Sequence, residues 1–507
     1  MDLPRRITAQ ALLTLSLLVA APARGDDCDG LRARLDAAAD LDPRHARSVE
    51  EPWLRRDAFL RSELQRALAT GERGRVAVVL DAMATLELQA LELEPGVSSA
   101  ALQTAARCAR IAVTGLAASP SRLEALAREP LPALYLSGRR LLGGYVFARP
   151  FLRAGAARWS AGERRAIAAG LPPPTSIHRP EPRPPETPGA LARLLLGLRA
   201  GHPAGWPVPD GAALDRLGAA FAPELATHAI AEHTLPGALS GRNGRPFVDT
   251  GRPRAYLDHG YVRWGQHVLL QLSYTFWFTR RPRTWFLDPY GGAVDGLVLR
   301  VTVGDDGRAL LWESIHPCGC FYTVATPSDR EFLFLDADET VLEPPLRIAG
   351  PQAAATPRLH YTSDEHLLRA LTAAGPTPAG AQVRGYTLEP WASLLAAGPE
   401  RPPFDDQGLL RGSERGERLF LWPSGIRSPG AMRTPGRHAT AFLGRRRFEA
   451  PELLDGMLRK RPRTVPRVDA PPMSAPKRDV STVYDSPDSG HDPWPQHRRN
   501  TIDTPPQ

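Results

Sequence analysis

Val268-Leu269-Leu270-Gln271-Leu272-Ser273-Tyr274-Thr275-Phe276-Trp277-Phe278-Thr279 puts Leu270, Leu272, Tyr274, Phe276 and Phe278 on one face and Gln271, Ser273, Thr275 and Thr279 on the other. A period of two predicts a β-strand with one buried side. Trp277 alone breaks the polar face. Leu297, Leu299, Val301 and Val303 repeat the alternation, and Gly304-Asp305-Asp306-Gly307 signals a hairpin into residues 309–315. Further strands are expected at 321–325 and 332–335, with a helix over 364–373 laid against the sheet.

Upstream the period changes. Trp53, Leu60, Leu64 and Leu68 share a helical face, as do Val79, Met83, Leu86, Ala90 and Leu93, which Pro95-Gly96 brings to an end. Leu102, Ala105, Cys108, Ala112 and Leu116 mark a third helix. The expected fold class is α+β, an N-terminal helical bundle followed by a mostly antiparallel β-sheet domain with a few packed helices. The expected organisation is a signal peptide over 1–25, a helical domain over 26–170, a Pro-rich linker over 171–188, an antiparallel β-rich domain over 189–458 and a disordered tail over 459–507.

Arg5 and Arg6, the apolar run from Ala11 to Ala21 and the small residues around Ala21-Pro22-Ala23 form a secretory leader pattern, so the chain is expected to be exported to the periplasm or outside the cell. No later apolar run approaches the roughly 18 residues of a membrane span, and none is expected. The net charge is +8, but the tail from 459 holds nine Lys/Arg against six Asp, and residues 1–25 hold three Arg against Asp2. Only +3 is left for the body, which argues against nucleic acid as a partner. Nearly every basic residue is Arg, a bias that a GC-rich genome produces by itself.

His316-Pro317-Cys318-Gly319-Cys320 concentrates half of the four cysteines in one turn. If Val303 pairs with Arg308 across the hairpin, the ladder sets 299 opposite 312, 297 opposite 314 and Asp295 opposite His316. An Asp beside a His fixes its tautomer and raises its basicity, so Asp295 and His316 are the candidate catalytic pair. A bend at Gly319 would let His316, Cys318 and Cys320 approach one ion, with His438 or His259 completing the shell of a transition metal such as zinc. Cys28 and Cys108 are the expected disulfide, closing a loop worth about 4 kcal/mol. Cys318 and Cys320 then serve as metal ligands, a labile redox pair or plain bracing.

Between Arg411 and Phe448, glycines alternate with arginines, and Arg427, Arg433 and Arg437 are the candidate anion cradle for an acidic glycan or envelope polymer. Trp277, Trp285, Phe286 and Tyr290 could stack on a sugar. Ser424 lacks the context of a nucleophile elbow, and His228 to His233 fits no zinc-protease spacing.

Three functional expectations follow: an exported soluble protein with a His/Cys/Asp site, carrying out metal-assisted hydrolysis if catalytic; a non-enzymatic envelope or acidic-glycan scaffold with structural cysteines; and a thiol-disulfide redox protein. The residues specify neither a substrate nor an oligomeric state.

Overall fold

The stretch 268–279 lies within a fifteen-residue strand, His267–Arg281, but both of its faces are buried. The structure, a computed structural model, describes residues 25–36, 42–334, 345–396 and 398–460. The expected leader over 1–25 and the expected tail over 459–507 lie outside the described residues except for Gly25, Arg459 and Lys460.

Eleven strands form one sheet: β3 (Ser176–Pro180), β4 (Glu224–Thr227), β7 (Arg254–Trp264), β8 (His267–Arg281), β9 (Gly292–Val303), β10 (Ala309–Ile315), β11 (Thr323–Pro327), β13 (Leu346–Gly350), β14 (Pro357–Tyr361), β15 (Leu368–Ala373) and β16 (Gln382–Pro390). Three short pairs stand apart: β1 (Ala46–Arg47) with β2 (Arg55–Arg56), β5 (Ala238–Arg242) with β6 (Arg245–Asp249), and β12 (Phe332–Phe334) with β17 (Leu458–Lys460). The spatial order is β13-β11-β10-β9-β8-β7-β16-β3-β4-β14-β15. Edge strands β13 and β15 approach each other, so the sheet nearly closes.

The fold is α+β with a mixed sheet: six neighbouring pairs are antiparallel and four are parallel, so parallel pairing has a larger share than the mostly antiparallel expectation allowed. Two sequence expectations fail for local reasons. Residues 171–188 are no free linker, because Ser176-Ile177-His178 pairs with β4 and β16 in the middle of the sheet. Residues 364–373 are not a helix. The Thr362 N–H donates to the Leu367 carbonyl and Thr362 Oγ1 accepts from the Leu367 N–H to close a turn, and Leu368 onward pairs with β14.

Helices α8 (Pro188–Gly201) and α9 (Gly211–Ala220) cover one face of the sheet, where Leu191, Leu195, Leu217 and Phe221 pack on Leu270, Leu272, Tyr274, Phe276 and Phe278. Thr187 and Asp210 cap the two helices by accepting from the N–H groups of Ala190 and Ala213. On the opposite face Trp277 joins Tyr256, Val294 and Trp391, while Leu269 joins Val298, Leu310 and Phe448. This face of β8 is therefore covered by protein at Leu269 and Trp277, on either side of its polar residues. Gln271 is buried and donates to Thr302 Oγ1 at 3.0 Å.

Preceding the sheet are α1 (Gly25–Asp36), α2 (Ala58–Thr70), α3 (Arg73–Glu92), α4 (Ser99–Ala117), α5 (Pro120–Arg128), α6 (Ser137–Leu142) and α7 (Tyr145–Ala169). A one-turn α10 (Arg418–Leu421) follows the sheet. Trp53, Leu60, Leu64, Val79, Met83 and Leu116 share a core with the disulfide Cys28–Cys108. Glu63 of α2 and Arg263 of β7 form a buried ion pair, so the helices and the sheet are joined within one compact unit. Among the described residues, no helix is long and apolar enough to cross a membrane.

Candidate functional site

Residues 316–320 form a tight turn in which the Gly319 N–H donates to the His316 carbonyl at 2.7 Å and the His316 N–H to the Cys320 carbonyl at 3.0 Å. Gly319 sits at φ +88, and a Cβ there would lie 2.2 Å from the Ala439 carbonyl oxygen. The β9–β10 register is displaced by two residues from the expected one: Leu299 faces Ser314, after a bulge between Ala309 and Leu311. A shift of two leaves every side chain on its own face.

Asp295 has no solvent exposure and lies 3.4 Å from His316 Nδ1. His366 Nδ1 donates to the other carboxylate oxygen at 2.8 Å, and Arg415 Nη2 donates to Asp295 at 3.1 Å. Burial alone would raise this carboxyl, but Arg415, then His316 and His366, overcome it and hold the group well below the usual carboxylate range. Each histidine is also engaged at Nε2, His316 by the His366 carbonyl at 3.2 Å and His366 by the His233 carbonyl at 2.7 Å. Among the described residues, three of the five non-glycine residues at positive φ adjoin this cluster: Val294 (φ 54), Phe321 (φ 62) and His366 (φ 53). Such conformations cost about 1–3 kcal/mol each and persist only where the surroundings enforce them.

The four expected metal ligands are divided among three places. His316 is committed to Asp295. Cys318 packs among Tyr256, Trp277, Val294 and Met432, with Cys320 against the same cluster and its N–H donating to Cys318 Sγ at 3.3 Å. The hydrogen bond shared with Cys318, then burial, push the Cys320 thiol well above its ordinary range. His438 lies elsewhere, against Glu449. Among the described residues, no three His, Cys, Asp or Glu side chains are gathered as a metal ion would require.

The expected arginine cradle is also divided. Arg433 is buried and spends Nη2 on the carbonyls of Arg427 and Ser428, holding its own loop together. Arg427 does not join Arg437, which lines a separate cleft. Trp277 is wholly buried, whereas Trp285 and Phe286 are exposed.

The room in that cleft, counted for the centre of a water-sized sphere, is about 90 Å³, and its mouth opens to solvent. Its floor is the polar face of β8, Gln271, Ser273 and Thr275. One wall is residues 44–59 and the other is residues 435–449, tied together where Arg437 Nε donates to the Pro43 carbonyl at 2.7 Å. Residues 438–449 double back on themselves: Ala439 bridges Arg447, and the Phe448 N–H donates to the His438 carbonyl at 3.1 Å. This fold-back sets Glu449 Oε1 2.5 Å from His438 Nδ1. Nε2 of His438 and Oε2 of Glu449 are buried without hydrogen-bond partners.

Burial would raise the Glu449 carboxyl, but His438, then Arg447 and Arg300, keep it below its usual value. In the tautomer of His438 that carries its proton on Nδ1, Glu449 accepts that hydrogen bond and Nε2 carries the lone pair. Arg447 donates to the carbonyls of Gly436 and Pro132, with no carboxylate in ion-pair contact among the described residues. Opposite stand His259, whose pKa burial lowers, and Tyr261, whose pKa burial raises.

The sequence reading held Arg447 only as one arginine of the 411–448 stretch, and it missed His366, Arg415 and Glu449. Arg447 and Glu449 had a readable signal, a turn at Leu443-Gly444 that folds the segment back on His438, with Gly444 at φ +84. His366 and Arg415 had none, being 71 and 120 residues from Asp295. No protein-family model matches the chain, and no curated protein or solved structure is detectably similar to it.

Proposed function

We propose that this is an exported protein whose cleft binds a small anionic ligand, an acidic sugar or another carboxylate or phosphate compound, with His438 as the proton-accepting group. The observation that carries the reading is the unpartnered, buried Nε2 of His438, held by Glu449 at Nδ1 and placed beside Arg447. A histidine oriented by a carboxylate is suited to general base catalysis. Arg447 hydrogen-bonds carbonyls and faces Glu449 only from beyond ion-pair distance, which leaves its guanidinium able to turn to an anion. The disulfide Cys28–Cys108 supports export, because such bonds persist in oxidising compartments.

The test is calorimetric titration of the mature protein with uronic acids, sugar phosphates and their neutral parents. Anionic members are expected to bind and neutral ones not. Arg447→Gln is expected to weaken binding by about 10–100-fold, the worth of a charge-assisted hydrogen bond. His438→Asn retains binding but abolishes turnover of any ligand found to be converted. Equal binding of neutral and anionic compounds, or no effect of Arg447→Gln in a variant with unchanged circular dichroism, refutes the reading.

A further inference from the structure

Three segments, distant in sequence, expose large apolar side chains side by side. In α6 and α7, Leu141, Leu142, Phe147 and Phe151 are 81–84% exposed, and Glu163 is the one buried residue of the 25-residue α7. The loop 283–287 exposes Trp285, Phe286 and Leu287, and α10 with the turn after it exposes Leu419, Phe420 and Trp422. Packing joins them. A Cβ at Gly143 would lie 2.9 Å from the Trp422 ring, and Phe420 meets Tyr290 edge-on with ring centroids 6.1 Å apart. Arg140 fixes the first joint by donating to the Ser424 carbonyl at 2.6 Å.

Charge on these segments is one-sided. Residues 137–162, 279–287 and 418–427 contain ten arginines, and the acids that border them, Glu163, Asp288 and Glu417, are buried. A genomic preference explains arginine in place of lysine; it does not explain the absence of exposed carboxylates from these segments. Arg149, Arg153, Arg158, Arg280, Arg283 and Arg418 are exposed among the apolar tips. Protruding Trp, Phe and Leu interleaved with arginine suit the interface of an anionic bilayer, where rings enter the headgroup region and guanidiniums meet phosphate. A second copy of this chain is disfavoured, because a two-fold dimer on this face would set like charges against each other.

We propose that the face formed by α6, α7, the 283–287 loop and α10 docks the protein on an anionic lipid surface. Binding is peripheral, through side chains reaching into the headgroup layer.

The test is flotation of the mature protein with vesicles of phosphatidylcholine alone or with added phosphatidylglycerol. Binding to the anionic vesicles alone, weakened by salt, is expected. Charge reversal at Arg149, Arg153 and Arg158 lowers the partition by at least about fivefold per arginine. Phe147→Ser with Phe286→Ser lowers it by at least about tenfold with an unchanged melting curve. Failure to bind anionic vesicles overturns the proposal, as does binding that survives both sets of changes. Sedimentation that shows a dimer dissociated by Phe147→Ser with Phe286→Ser also overturns it, since a second copy would then cover the face.

Discussion

Replacing Asp295 by Asn tests whether the buried cluster holds the fold together. The side chain keeps its shape, so no cavity opens; what is lost is the charge that His366, Arg415 and His316 face at 2.8, 3.1 and 3.4 Å. Arg415 is itself buried and would keep its charge with only the carbonyls of Tyr290, Val294 and Gly430 as partners. Leaving one member of a buried ion pair uncompensated costs about 3–5 kcal/mol. The sign with pH follows from the depressed pKa in the folded state. The stabilisation is complete above the unfolded carboxyl value of about 3.9 and is lost as pH falls from there through the folded value. Urea unfolding of both proteins at pH 7 should show the full deficit in Asp295→Asn, and the gap should narrow below about pH 4. A deficit under about 1 kcal/mol at pH 7, or one that widens in acid, refutes the account.

Three further outcomes are expected. Replacing Cys28 and Cys108 by Ala should cost about 4–5 kcal/mol in urea unfolding, the chain-entropy value for a separation of 80 residues. Burial pushes the Glu417 carboxyl up to about 7 against the pull of Arg415 and Arg281, so the folded state keeps a proton that the unfolded chain releases above about 4.5. Stability then falls as pH rises through that window, and Glu417→Gln should be more stable than the parent at pH 8 by about 3 kcal/mol and equal to it near pH 4. Gly319→Ala places a Cβ 2.2 Å from a carbonyl at φ +88, whereas Gly71→Ala at φ +71 meets open space. The first should lower stability by about 2–5 kcal/mol and the second by about 1–2, and equal losses would mean that the turn at 319 tolerates movement.

The hairpin at Gly304–Gly307 made the nearness of Asp295 and His316 readable from sequence, because two strands joined by a short turn must lie side by side. A register error of two residues did no harm, since it changes no face. The alternation of β8 was read correctly as a strand and incorrectly as one-sided. Periodicity records which residues are polar, and cannot say whether water or another protein layer meets them. Here the layer is residues 44–59 and 435–449, and the polar face became the floor of a cleft. Residues 364–373 mimic helix spacing, but pairing with β14 overrides local preference. Ser176-Ile177-His178 was hidden by flanking prolines that fall at or beyond the ends of the paired run. His366 and Arg415 reach Asp295 only through tertiary packing, which no short window of sequence records.

The cleft takes one wall from near the start of the chain and the other from near its end. A chain delivered from its N-terminus can therefore form the sheet before the last segment arrives, and such an intermediate has strands but no place for a ligand. Ligand protection should arise late, after residue 449 has joined the fold, making it a reporter of the closed cleft rather than of folding in general.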